Sequence, residues 1–161
     1  MSYKSKRTVV SIVTGIAFLI VYTYYALGRH APAPDNLKSW AVTMLVSIGI
    51  GVVVSIVVQI VFHLLFSIGV AIKEQGCDDK KVERMISSLM VEDEMDKLIG
   101  LKSARIGYFV TVAGFILALV ALVTGLSAVM ALHILFGAFA IGAIMEGVVS
   151  VYLYEKGVLN G

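Results

Sequence analysis

Charge is scarce in this 161-residue chain: 15% of its residues are Asp, Glu, Lys or Arg, against about 25% in an average soluble domain. Cysteine and proline are scarcer still. The single cysteine, Cys77, excludes an intrachain disulfide and a paired-cysteine metal framework. Both prolines, Pro32 and Pro34, fall in one stretch, GRHAPAPDNLKS from Gly28 to Ser39, which reads as an ordered turn of extended residues. The formal charge is only +2, from 13 basic and 11 acidic residues. Apolar residues, by contrast, make up 59%, against roughly 45–50% in soluble domains. Such a balance excludes a disordered chain, a nucleic-acid binder held by a basic face, and an ordinary soluble α/β enzyme.

The charges are also segregated. Thr8–Leu27 is 20 residues without one, and Trp40–Ile72 is 33. Ile106–Tyr154 is 49 residues with a single ionisable carboxylate, Glu146. A membrane-spanning helix needs about 20 mostly apolar residues, so the last block is two helices. They are separated at Thr124-Gly125-Leu126-Ser127, where Gly and Ser supply the only turn chemistry. The expectation is an all-α integral membrane four-helix bundle, one domain over 1–161, with spans near 8–27, 40–70, 105–124 and 128–154. Continuous apolar runs argue against barrel strands, which alternate. The first run is too long for a signal-peptide core and ends in Tyr22, Tyr24 and Tyr25 rather than a small-residue cleavage site. It reads as a retained helix.

Eleven of the 13 basic residues flank the spans on one side, ahead of helix 1, in residues 73–105 and in the tail; only Arg29 and Lys38 lie on the other. The positive-inside rule then puts both termini and the central segment in the cytoplasm. Within the central segment 73–104, Val82, Met85, Ile86, Leu89 and Met90 recur at helical spacing after Asp78 and Asp79, which predicts an amphipathic helix over 79–90. It would lie on the membrane or against the bundle, or offer a docking face to a partner. The following stretch starts acidic, at Glu92, Asp93, Glu94 and Asp96, and turns basic at Lys97, Lys102 and Arg105. Lys97 is within pairing distance along a helix of both Asp93 and Glu94.

Two rows of residues spaced by four stand out. Helix 2 carries Ser47, Gly51, Ser55, Gln59, His63 and Ser67; helix 4 carries Ala138, Gly142, Glu146 and Ser150. Laying residues 50–63 over 141–154 superposes these rows, a weak internal repeat suggesting two helical hairpins of the same orientation. Small residues in such a row let backbones approach, and polar ones hydrogen-bond across the contact. That predicts a face holding the bundle or a homodimer together.

Glu146 is the sharp member, about 12 Å inside the boundary marked by Tyr154 at 1.5 Å per residue. A carboxylate at mid-helix costs roughly 2.5–3.5 kcal/mol on insertion scales, so it must face protein or water, be protonated, or have a partner. A neutral Glu146 could hydrogen-bond Ser55 or Gln59; an ionised one needs a cation, for which Arg105 and Lys102 are nearest in depth. The intramembrane polar site is therefore Glu146, Ser55, Gln59 and His63, read either as an interhelical hydrogen-bonding group or as a proton- or cation-linked site. His63 and His133 fall toward opposite ends of their helices, which excludes a shared haem within one chain. His30 stands alone in the loop. No Ser/His/Asp constellation, HExxH or phosphate-cradling glycine loop is present. No catalytic residue, cofactor or metal is expected, and no nucleic-acid partner.

The stretch VEDEMDKLIGLKSARIGY, followed by a helical hairpin ending in YLYEKG, resembles a family of small prokaryotic four-helix membrane proteins built on a domain of unknown function. Asp93, Glu94, Asp96, Lys97, Lys102, Arg105 and Tyr108 carry the resemblance, over residues 91–156; helices 1 and 2 fit by topology, and Gly100 stands where the family pattern more often has an acidic residue. The resemblance implies a prokaryotic inner-membrane location and no particular activity. The resulting expectation is a non-enzymatic membrane component, a homo-oligomer (dimer) in the lipid bilayer. Its cytoplasmic contact surface, Asp93, Glu94, Asp96, Lys97, Lys102 and Arg105, would meet a cytosolic or membrane protein partner. The alternative is a small proton- or cation-coupled transporter or channel using Glu146.

Overall fold

The computed structural model describes residues 3–28, 31–73 and 93–157. Every regular element among them is an α-helix: α1 (Tyr3–Ala26), α2 (Leu37–Lys73), α3 (Glu94–Val123) and α4 (Ala128–Lys156). All four are long and apolar enough to cross a membrane. The predicted amphipathic helix over 79–90, with Asp78, Asp79 and the apolar row from Val82 to Met90, lies outside the described residues, as do Cys77, Arg29 and His30.

Local chemistry sets the helix ends. The Asn36 carboxamide accepts the Ser39 N–H at 3.0 Å, capping α2, and Trp40 Nε1 donates to the Ala33 carbonyl at 3.1 Å, folding the proline loop onto the helix start. Asp93 accepts from the Asp96 N–H and Asp96 accepts from the Asp93 N–H, a reciprocal capping box. This box is why α3 begins at Glu94 rather than at the expected 105. The last eleven residues of the segment expected to be separate, 94–104, are thus the first three turns of α3. At the other end of α3, Leu126 N–H reaches Ala121 O and Gly125 N–H reaches Leu122 O, with Gly125 at φ 87°. Such a left-handed stop needs glycine, and Ser127 then caps α4 by accepting the Met130 N–H.

Packing centres on α4. Its Ala138 and Gly142 are buried against Gly114, Thr111 and Gly107 of α3. A Cβ on Gly142 would sit 2.7 Å from Thr111 Oγ1 and 2.9 Å from Gly107 O, and one on Gly114 would overlap Ala138 Cβ. Two backbones in such contact hold by close van der Waals packing rather than by long interdigitated side chains. On its other side α4 receives α1: Gly147 makes room for Ile12 and Thr8, and Ile144 reaches Gly15. α2 stands outside this trio. Its row of four-spaced residues meets α1, but Gly51 faces the ring of Phe18, 3.1 Å from the position of a Cβ, where Gly142 faces glycine. One bulky ring thus keeps α2 at side-chain distance, and its most apolar stretch has no buried residue.

The α3–α4 contact predicts an asymmetric glycine sensitivity. Gly114→Leu should destabilise the purified protein by about 1–3 kcal/mol or more through overpacking. Gly137→Ala, at a position with open space around it, should be neutral. Thermal unfolding in detergent, followed by loss of monodispersity, measures both.

Candidate functional site: a crevice between α1, α2 and α4

Because α2 is held off, a crevice of about 1420 Å³ separates it from α1 and α4. Ser55, Gln59 and His63 line it from α2, and Glu146 and Ser150 from α4. All four residues of the predicted intramembrane polar site therefore share one cavity, although Glu146 lies more than 80 positions from the other three in sequence. Lys4, Arg7 and Ser11 of α1 border the same space, with Asp96, Gly100 and Ser103 of α3 closing it beneath.

Glu146 is positioned by glycines. A Cβ at Gly107 would come within 3.1 Å of Glu146 Oε2, so the carboxylate occupies the notch that Gly107 leaves open. Gly147, the next residue, sits at the level of Thr8 and Ile12 on α1, which puts Glu146 about one turn deeper than Arg7. Among the described residues no hydrogen bond or ion pair reaches its carboxylate. The bonds to Ser55 or Gln59 considered above do not form: Gln59 Oε1 instead accepts from Arg7 Nε at 3.0 Å. Of the two cations considered for Glu146, Arg105 lies over the Phe109 ring at 5.7 Å, and neither it nor Lys102 pairs with the carboxylate. Glu146 is an exposed side chain facing the crevice.

At the basic end the helices are clasped by charge. Lys4 is ion-paired with Asp96, across 92 residues of sequence. Tyr154 donates to the same carboxylate at 3.1 Å, and Ser5, fully buried, donates to Glu155 at 3.0 Å. Asp96 thus serves two purposes, capping α3 and tying α1 and α4 to it. Partial burial works to push its carboxyl up. The Lys4 ammonium, the Asp93 amide and the Tyr154 hydroxyl outweigh that and hold it below the usual carboxylate range.

The residues of the acidic-to-basic stretch separate into two groups. Asp93 and Asp96 are engaged in the cap, and Asp96 faces inward; Glu94 and Lys97 form an exposed i,i+3 pair at 3.5 Å. Lys102 and Arg105 are exposed on α3. Only part of the predicted contact surface is therefore displayed.

The opposite end of the crevice is closed by a layer that sequence reasoning did not single out. Its lining ends at Phe18, Ile48 and Phe136. About one turn further on each helix stand Tyr22, Met44 and His133, joined by Trp40. Tyr22 packs on Phe136 with ring centroids 4.3 Å apart, and Trp40 meets His133 edge-on at 4.5 Å. Trp40, Met44 and Tyr22 are 5–6% exposed. His133 Nδ1 lies 2.8 Å from the Val129 carbonyl, fixing the ring. The Tyr22 hydroxyl is buried with no hydrogen-bond partner among the described residues. Aromatic residues near helix ends read as interface anchors in a sequence, and nothing local marks these as one packed layer.

Among the described residues no group of three His, Cys, Asp or Glu side chains could hold a metal ion. Comparison with protein-family models, curated proteins and solved structures finds no match for this chain.

The clasp predicts an acid-sensitive stability. A carboxyl held below its unfolded value contributes stability above the unfolded range, near 3.9 for Asp, and loses it as pH falls through the lower folded value. Asp96→Asn should therefore cost about 1–3 kcal/mol at neutral pH. That difference from wild type should shrink as pH falls through the lowered folded value. Unfolding in detergent at pH 7 and at acid pH reads both.

Proposed function

We propose that this protein is a non-enzymatic, multi-pass protein of a prokaryotic inner membrane, both termini cytoplasmic, that works as a small proton- or cation-coupled carrier through the α1–α2–α4 crevice. The carrying observation is Glu146: an acidic side chain without a partner among the described residues, in an otherwise apolar stretch of α4, facing a cavity shared with Ser55, Gln59 and His63. Ionisable groups kept within apolar spans mark ion or proton pathways because their insertion is costly. In this reading the crevice admits water and ligand from the basic, cytoplasmic end, while the Tyr22–Trp40–His133–Phe136 layer seals the outer end. Glu146 exchanges a proton or cation as the ligand enters. The other titratable groups bordering the crevice are Tyr3, Lys4 and Arg7 on α1, His63 on α2, Asp96 on α3 and Tyr154 on α4. Lys4, Asp96 and Tyr154 are tied to one another and Arg7 to Gln59, and Glu146 and His63 stand outside these contacts.

A second reading is favoured by α2, whose apolar surface is nearly all uncovered within one chain. A homodimer formed on it would make the protein an accessory or regulatory membrane component, with Glu94, Lys97, Lys102 and Arg105 as its exposed contacts to a partner.

The two separate in one set of experiments. For a carrier, Glu146→Gln should abolish pH-dependent flux in proteoliposomes at unchanged oligomer size. For an accessory component, no flux appears in wild type, and charge reversal at Glu94 together with Lys97 should disrupt partner pull-down.

A further inference from the structure

Arg7 carries a charge that no described acidic residue matches. Its Nε donates to Gln59 Oε1, which fixes the guanidinium at the rim of the crevice, but no carboxylate among the described residues meets it. Lys4, one turn earlier, is by contrast already paired with Asp96. The bond through Nε leaves the two terminal nitrogens to present parallel N–H donors, the arrangement that matches two oxygens of a phosphate. Beyond Arg7 the lining is largely apolar, with Ile56 and Ile60 of α2, Ile12 and Phe18 of α1 and Phe139 of α4, beside Ser11, Thr14, Ser55 and the Glu146 carboxylate. Ile56, Ile60 and Phe139 are each more than half exposed, so the crevice is open along its side as well as at its end. The site thus has one fixed cation at the mouth and a trough running inward whose apolar walls also carry Ser55 and, about one turn deeper on α4, Glu146. A soluble anion would satisfy the cation and leave the trough bare; an apolar molecule would do the reverse.

We propose that the crevice binds an anionic phospholipid of the surrounding bilayer, its headgroup phosphate on Arg7 and one acyl chain lying in the trough between α1, α2 and α4. Basic pockets between spanning helices at the cytoplasmic surface are suited to such headgroups. The site rests on the helices lying in a bilayer, and does not rest on Glu146 exchanging protons.

The test uses the full chain reconstituted into vesicles of equal phosphatidylglycerol and phosphatidylcholine. Flotation of protein with vesicles is scored first; the protein is then extracted in mild detergent and its retained lipids measured by mass spectrometry. Wild type should retain phosphatidylglycerol over phosphatidylcholine by about fivefold, the discrimination that one basic residue near an anionic surface supplies. Arg7→Gln should lose the preference. Lys6→Gln, exposed and outside the crevice, should keep it, and Ile60→Trp, which fills the trough and leaves Arg7 intact, should lower retention of the anionic lipid. Inorganic phosphate added during extraction should not displace the lipid. Protein that fails to float overturns the membrane reading and this site with it. Protein that floats but retains both lipids equally, an Arg7→Gln variant that keeps the preference, unchanged retention in Ile60→Trp, or release by inorganic phosphate each overturns the lipid site alone.

Discussion

The backbone contact between α3 and α4 is the constraint on which the rest of the architecture depends. Gly107, Gly114 and Gly142, with Ala138, bring two helices together at a distance that any larger residue would forbid. α4 spends that face entirely on α3. Its Gly147 accepts α1, and none of the glycines of α4 meets α2. The fourth helix must therefore lean on α1 through larger groups: Phe18 on Gly51, Tyr3 against Phe62 and Phe66, and Arg7 on Gln59. The crevice is the geometric remainder of that inequality. Equal four-residue rows on α2 and α4 give unequal contacts because what faces them differs, an aromatic ring in one case and a peptide backbone in the other.

Charge is then distributed so that α1, α3 and α4 are tied together at one end and the crevice is not. Lys4, Asp96, Tyr154, Ser5 and Glu155 form a closed set at one end, linking α1, α3 and α4. Arg7 and Glu146 are the two charges next to the crevice that this set does not absorb. They have opposite sign and lie about one turn apart in depth, yet neither neutralises the other: Arg7 is turned toward Gln59 of α2, and Glu146 is lodged beside Gly107 of α3. Separating two opposite charges next to an apolar cavity is costly unless water or ligand solvates them, and this cost gives the crevice its chemical character.

Much of this was visible in the linear order of residues. Charge-free runs of 20 or more residues are enough to read four apolar helices, and Gly125 with Ser127 marks the break between the last two. The four-residue row through Gly142 was readable as a packing face because small residues at that spacing have few other uses in an apolar helix. Three features were not legible. α3 starts at Glu94 because Asp93 and Asp96 cap each other, and the charged composition of that stretch looked like a boundary instead. Asp96 looked like a surface acid because its cation, Lys4, is 92 residues away. The outward position of α2 had no signature at all, since a helix apolar on every side carries no periodicity to say which side is covered.

The Tyr22 hydroxyl, enclosed without a partner among the described residues, has a bearing on how the sealing layer behaves. An unmet hydrogen-bonding group shut away from water carries a penalty of about 1–3 kcal/mol, and any rearrangement that let this one reach water or a headgroup would recover it. The closed layer is accordingly less deeply seated than its aromatic packing alone implies: the same ring that plugs the bundle carries the incentive to unplug it.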